Sequence, residues 1–136
     1  MKPLILAGVV SVVLALACYT MAFAAEQRVR RITGAVLGML AVGVVFDLAS
    51  AVFMISGSQG SVLTPHGAVG FTALGIMLVL VALAARHRWR RGEAEVPAGL
   101  QAFFRIAYAA WVLAFVSGVA MVAAQGAARR AATALL

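Results

Sequence analysis

Residues 33–55 read TGAVLGMLAVGVVFDLASAVFMI and contain one ionisable side chain, that of Asp47. The hydrocarbon core of a bilayer is about 30 Å thick, and an α-helix needs roughly 20 apolar residues to cross it. Because the segment has this length, we predict that it spans a membrane. Asp47 then lies near the middle of the span, where a charged side chain costs about 2.5–3.5 kcal/mol on insertion scales.

Three more segments have the length and composition of membrane spans, at residues 4–25, 66–85 and 103–124. Of the 136 residues, 65% are hydrophobic and 11% are charged, and the mean hydropathy is +1.06. These values lie far outside the balance of a soluble globular domain. We therefore expect residues 1–136 to form a single all-α domain, an integral membrane four-helix bundle.

The basic residues predict how the bundle is oriented. Seven arginines lie in the first and third connectors: Arg28, Arg30, Arg31, Arg86, Arg88, Arg90 and Arg91. By the positive-inside rule both connectors are on the cytoplasmic side of the bacterial inner membrane, and both termini are on its outer side. A cleaved signal peptide over residues 1–25 would place the first cluster outside, against this rule.

We expect anionic lipids at the arginine clusters, and no nucleic acid partner, although the net charge is +7.

Asp47 has mostly small neighbours at helical spacing, including Gly43, Ser50 and Ala51. Other helices can therefore approach it closely. Three functional interpretations are open: a proton-relay group, a counter-charge for a buried cation, or an acceptor that orients a ligand. The structural alternative is a protonated carboxyl bonded to Tyr19, to Thr20 or Tyr108, or to the backbone.

His66 is the candidate metal ligand. Thr64 and Pro65 are typical of the N-cap and first position of a helix, which puts His66 in the first turn of the third span. The positive end of the helix dipole disfavours imidazolium there, so a neutral, ligand-competent ring is expected. The alternative is a hydrogen-bonding surface group. His87 lies 21 residues further on, about 31 Å along a helix, so the two histidines of one chain cannot share one iron.

The fourth span carries an aromatic stripe. Phe104, Tyr108, Trp111 and Phe115 follow one another at spacings of four, three and four, which puts them on one helical face. The stripe either lines a porphyrin or quinone pocket or packs against helices and lipid, and packing is the commoner role. Arg105 either snorkels to the cytoplasmic interface or meets a ligand carboxylate such as a heme propionate.

Short motifs in all four spans resemble a known pattern. They are Cys18-Tyr19-Thr20, Phe46-Asp47, His66-Gly67 followed by Gly70, and Trp111 with Ser117-Gly118. From about Tyr19 to Gly118 the chain resembles the small bacterial four-span family that includes the heme-sensing membrane protein HsmA. The resemblance implies a four-helix membrane protein that binds heme b and helps to protect cells from heme and oxidative stress. His66, Asp47, Tyr108, Trp111 and Arg105 are then the candidate cofactor-binding residues.

The chain departs from the family pattern at two positions. Family members tend to carry further histidines late in the third span and at the start of the fourth, where this chain has Leu80 and Gln101. A bis-histidine heme within one subunit is therefore not expected. The remaining possibilities are a five-coordinate heme, a Met54 or tyrosine partner, a heme shared between two chains, or no heme.

Two other functions remain open. The lack of soluble domains favours an accessory subunit or assembly factor of a larger membrane complex, and Asp47 would suit a proton-coupled transporter. Gly34 and Gly38 form a GxxxG motif, a weak signal for a homodimer. Enzymatic activity is not expected, because no pair of titratable groups with complementary roles can be placed around one substrate.

Overall fold

The computed structural model describes residues 3–57 and 65–136. It contains four helices, α1 (Pro3–Val29), α2 (Gly34–Gly57), α3 (Pro65–Arg91) and α4 (Ala98–Ala134). Each predicted span corresponds to one helix, and all four helices are long and apolar enough to cross a membrane. The predicted all-α four-helix bundle is confirmed, and the helices are those of a multi-pass membrane protein.

The last helix is longer than the predicted span of residues 103–124. α4 has 37 residues, about 55 Å at 1.5 Å per residue. Its extension contains Ala127, Ala128, Ala131 and Ala132, and alanine is the strongest helix former. The buried face of α4 ends at Ala114. Phe115 still packs on Trp111, and none of residues 115–134 is buried in the described chain.

All four helices bury one residue every three or four positions, which is the spacing of a left-handed bundle. The buried faces contain Ser11, Ala15, Tyr19, Ala22 and Glu26 on α1; Val36, Leu40, Gly43, Asp47 and Ser50 on α2; Ala73, Met77, Leu80, Ala84 and His87 on α3; and Phe104, Ala107, Trp111 and Ala114 on α4. The core is apolar at most levels. Polar side chains enter it near the middle, at Asp47 and Ser50, and near the arginine-rich end, at Glu26 and His87.

The helices form a ring in chain order, with α4 returning to α1. The α1–α2 pair is the closest, because glycines lie where the two helices meet. A Cβ on Gly8 would stand 2.8 Å from Met54 Cγ, and one on Gly43 would stand 2.6 Å from the Tyr19 ring. Small residues of this kind let helix backbones approach within a membrane. Gly38, by contrast, faces open space, so the GxxxG motif makes no such contact at that position.

The first and third connectors lie side by side. The backbone N–H of Val96 donates to Arg30 O at 2.9 Å, and Arg31 and Glu95 form an isolated β-bridge. Arg88 Nη1 donates to Ile32 O at 3.1 Å. These contacts place both arginine-rich connectors at the same end of the bundle, as the up-and-down arrangement requires.

We predict that Gly43→Ala destabilises the fold by about 1–3 kcal/mol, because the added methyl group must displace the buried Tyr19 ring. Thermal unfolding of the purified protein in detergent measures the loss. Gly38→Ala is the matched control and should not lower the midpoint, since nothing lies within 4 Å of its Cβ and alanine is the better helix former. Equal effects of the two substitutions would contradict the close contact at Gly43.

Candidate functional site

Asp47 is the centre of a buried hydrogen-bonded cluster that joins three helices. Its carboxylate atom Oδ2 accepts a bond from Tyr19 Oη at 3.1 Å and one from Trp111 Nε1 at 2.8 Å. Tyr19 lies on the neighbouring helix α1, whereas Trp111 reaches across the ring from α4. Asp47 is 9% exposed and Trp111 is 4% exposed. Two neutral donors therefore converge on one oxygen atom in the middle of the bundle.

No cation accompanies this carboxyl group in the part of the chain that the structure describes. The ion pair found there joins Arg88 to Glu93 at 3.5 Å, at the arginine-rich end. Asp47 is thus not paired with a cation from these residues. Among the partners that the sequence offers, Tyr19 bonds to Asp47, while Thr20 Oγ1 and Tyr108 Oη bond to each other at 2.7 Å.

The aromatic stripe of α4 packs against side chains of α1. The Tyr19 and Trp111 rings meet edge to face, with centroids 5.0 Å apart, and Tyr108 stacks on Phe23 at 4.5 Å. Such pairs contribute about 0.5–1.5 kcal/mol beyond the area they bury. The α4 stripe therefore packs against α1, and its residues line neither of the two grooves that lie between α3 and α4.

The five candidate cofactor-binding residues do not converge on one point. Asp47 and Trp111 are bonded to each other, and Tyr108 lies about one helical turn from Trp111. Arg105 is exposed and donates to Gln27 Oε1 at 3.2 Å, towards the arginine-rich end. His66 is at the opposite end, in the first turn of α3, and its side chain lies outside the described residues.

A second buried carboxylate lies near the arginine-rich end. Sequence reasoning places Glu26 in the first connector, but in the structure it is 0% exposed on the buried face of α1. Glu26 accepts from Gln27 Nε2 at 2.8 Å and from Gln101 Nε2 at 3.5 Å. The signal that would have found it is spacing, because Glu26 follows Tyr19 by seven residues and Ala22 by four.

The two positions where the chain departs from the family pattern both have structural partners. Leu80 is 0% exposed in the apolar core, and Gln101 donates to the buried carboxylate of Glu26. Neither residue type is an iron ligand. His87 is also turned inwards, 8% exposed, with Nε2 3.2 Å from Ala94 O. Its neighbours Arg86, Arg90 and Arg91 are exposed.

An apolar groove of about 280 Å³ runs between α3 and α4 on the side of the bundle away from the arginine-rich end. It is lined by Ala68, Val69, Thr72, Ala73, Ile76, Ala110 and Ala114. The Thr72 hydroxyl donates to Ala68 O at 2.8 Å, so the polar side chain in the lining is satisfied within α3. Small side chains leave this space open to the bilayer.

No protein-family model, curated protein or solved structure matches the chain. Within residues 3–57 and 65–136, no three histidine, cysteine, aspartate or glutamate side chains are grouped so that they could hold a metal ion. The candidate site therefore rests on three features of the molecule: the Asp47 cluster, the α3–α4 groove, and the place of His66 in the first turn of α3.

We predict that Asp47→Leu lowers the free energy of unfolding by at least about 2 kcal/mol, because it leaves the Tyr19 hydroxyl and the Trp111 indole N–H buried without an acceptor. Asp47→Asn keeps one carbonyl oxygen for both donors and should lose less than about 1 kcal/mol. Chemical unfolding in detergent measures the free energy of unfolding of both variants. Trp111 fluorescence in a Trp89→Phe background reports the transition.

If Asp47→Asn were as damaging as Asp47→Leu, the cluster would depend on the charge of the carboxylate and not on its role as an acceptor. The same variant tests the proton-transport hypothesis, since it removes the group that would carry the proton. Transport that persists in Asp47→Asn would eliminate that hypothesis.

Proposed function

We propose that the chain is a heme-binding protein of the bacterial inner membrane that helps to protect cells from heme or oxidative stress, with His66 as the axial ligand. The observation that supports this proposal is the α3–α4 groove. His66 precedes Val69 and Ala73 by three and seven residues, a spacing that places the three positions on one side of α3. Val69 and Ala73 both line the groove.

The lining suits a flat, mostly apolar ligand that arrives through the membrane. The space between α3 and α4 stays open because much of its lining is small, at Ala68, Ala73, Ala110 and Ala114. The interior of the bundle offers no such place, because Tyr19, Phe104 and Met77 are fully buried there. The residues present therefore fit one edge of a porphyrin held at the lipid-facing side of the bundle.

The side chains of this chain offer one ligand for a heme iron, His66, and not two. Leu80 and Gln101 are engaged in packing and in a bond to Glu26, and Met54 packs on the α1–α2 side beside Gly8. Heme held by His66 would supply an iron centre to which a small molecule or a second protein chain could bind. In this proposal Asp47, Tyr108 and Trp111 hold α4 against α1 and α2, and do not contact the iron.

We predict that the purified wild-type protein takes up added hemin and develops a Soret band. His66→Ala should weaken binding by more than about tenfold, because even groups that only support a metal ligand contribute 10–100-fold to affinity. Ala68→Phe should weaken it as well, since the new ring occupies the groove from an exposed position. Absorption titration in detergent measures all three.

Ala109→Phe is the matched control for the groove variant. Ala109 is exposed on α4 but does not line the groove, so its substitution should leave hemin affinity unchanged. A wild-type protein without a Soret band, or a band unaltered in His66→Ala, would contradict heme binding at this site. Equal losses in Ala68→Phe and Ala109→Phe would contradict the groove as the binding place.

The length of α4 favours a second candidate function, that of an accessory subunit or assembly factor. Residues 115–134 have no buried position in the described chain, although Val116, Val119 and Val122 are large and more than half exposed. A partner helix in a larger complex would cover this face. Purification in mild detergent tests the idea: a monodisperse particle that contains one copy of this chain alone would count against it.

A further inference from the structure

A second groove lies at the arginine-rich end of the bundle, between the end of α3 and the beginning of α4. Its volume is about 470 Å³, and its lining divides into two kinds of residue. Arg86, Arg90 and Arg91 provide a cationic part, while Leu83, Leu100 and Phe103 provide an apolar part. The groove is therefore amphipathic.

The three guanidinium groups of the cationic part have no anionic partner in the described residues. Glu93 pairs with Arg88, and Glu26 is buried on α1 with Gln27 and Gln101. Glu95, whose backbone bridges to Arg31, forms no ion pair within the described residues. Arg86, Arg90 and Arg91 are all exposed. Three uncompensated positive charges beside one groove attract an anion, and arginine matches phosphate oxygens with paired N–H donors.

The groove also crosses from the hydrocarbon region to the headgroup region. Leu83 and Arg91 are eight residues apart, or about 12 Å along α3. Trp89, on the same helical turn as the arginines, is 91% exposed, which is typical of an aromatic side chain at the membrane interface. A ligand that follows the groove has its apolar part beside Leu83, Leu100 and Phe103 and its charged part at the arginines.

We propose that this α3–α4 basic groove is a specific site for an anionic phospholipid such as phosphatidylglycerol. The headgroup phosphate binds at Arg86, Arg90 and Arg91, and an acyl chain lies against Leu83, Leu100 and Phe103. The site is distinct from the α3–α4 groove near His66, which has no charged lining. It also differs from general attraction of anionic lipids, which would involve the first connector equally.

Native mass spectrometry of the full chain tests the proposal. The protein is released from neutral detergent after incubation with phosphatidylglycerol or with phosphatidylcholine of the same acyl chains. The wild type should retain one phosphatidylglycerol molecule in preference to phosphatidylcholine. Arg86→Gln/Arg90→Gln should weaken retention about thirtyfold, which corresponds to about 1 kcal/mol per arginine near an anionic lipid.

Arg28→Gln/Arg31→Gln is the matched control, because it removes two exposed charges at the same end without touching the groove. It should retain the lipid as the wild type does. Equal losses in the two double variants would overturn the proposal in favour of non-specific attraction. Equal retention of the two lipids by the wild type would overturn it as well.

A third variant tests the groove itself without changing charge. Gly99 lines the groove, and nothing lies within 4 Å of its Cβ position, so Gly99→Phe begins from an open position and places a ring in the groove. Gly99→Phe should no longer retain phosphatidylglycerol in the mass spectrometer. Gly38→Phe, at another open glycine, should retain it as the wild type does. Retention by Gly99→Phe would overturn the site. Displacement of the lipid by millimolar inorganic phosphate would also overturn it, by identifying a soluble anion as the ligand.

Discussion

The two hydrogen bonds to Asp47 Oδ2 are the constraint on which the rest of the bundle depends. A carboxyl group in the middle of a membrane span must be surrounded by polar partners, because hydrocarbon offers none. Tyr19 and Trp111 supply them from α1 and α4, so the rotation of three helices is fixed at one level. Gly43 must then be small, since the Tyr19 ring lies against it.

The centre of the bundle is closed in this way, and the open grooves lie at its periphery. Glycines bring α1 and α2 together, and aromatic rings fill the space between α1 and α4. The α3–α4 pair has alanines in the half beyond the Asp47 level and a glycine and a proline near the arginine-rich end, and a groove opens in each half. Both grooves therefore lie beside the lipid, along one pair of helices.

Sequence reasoning was sufficient for the parts of the molecule that depend on length and periodicity. The four spans follow from bilayer thickness, and the shared helical face of the aromatic stripe follows from its spacing. The bond across the ring from Trp111 to Asp47 was not predictable, because it depends on which helices lie opposite each other. Glu26 was missed because an acidic residue next to arginines is typical of a connector, whereas its spacing from Tyr19 continues the buried face.

The residues at positions 80 and 101 show why the family resemblance does not carry over as a ligand set. A histidine in place of Leu80 would bring a polar ring into a fully buried apolar site, where it would need a partner to offset its desolvation. A histidine in place of Gln101 would remove an amide donor from Glu26. Both residues are thus integrated into packing and hydrogen bonding, and neither position supplies the histidine that the resemblance implies.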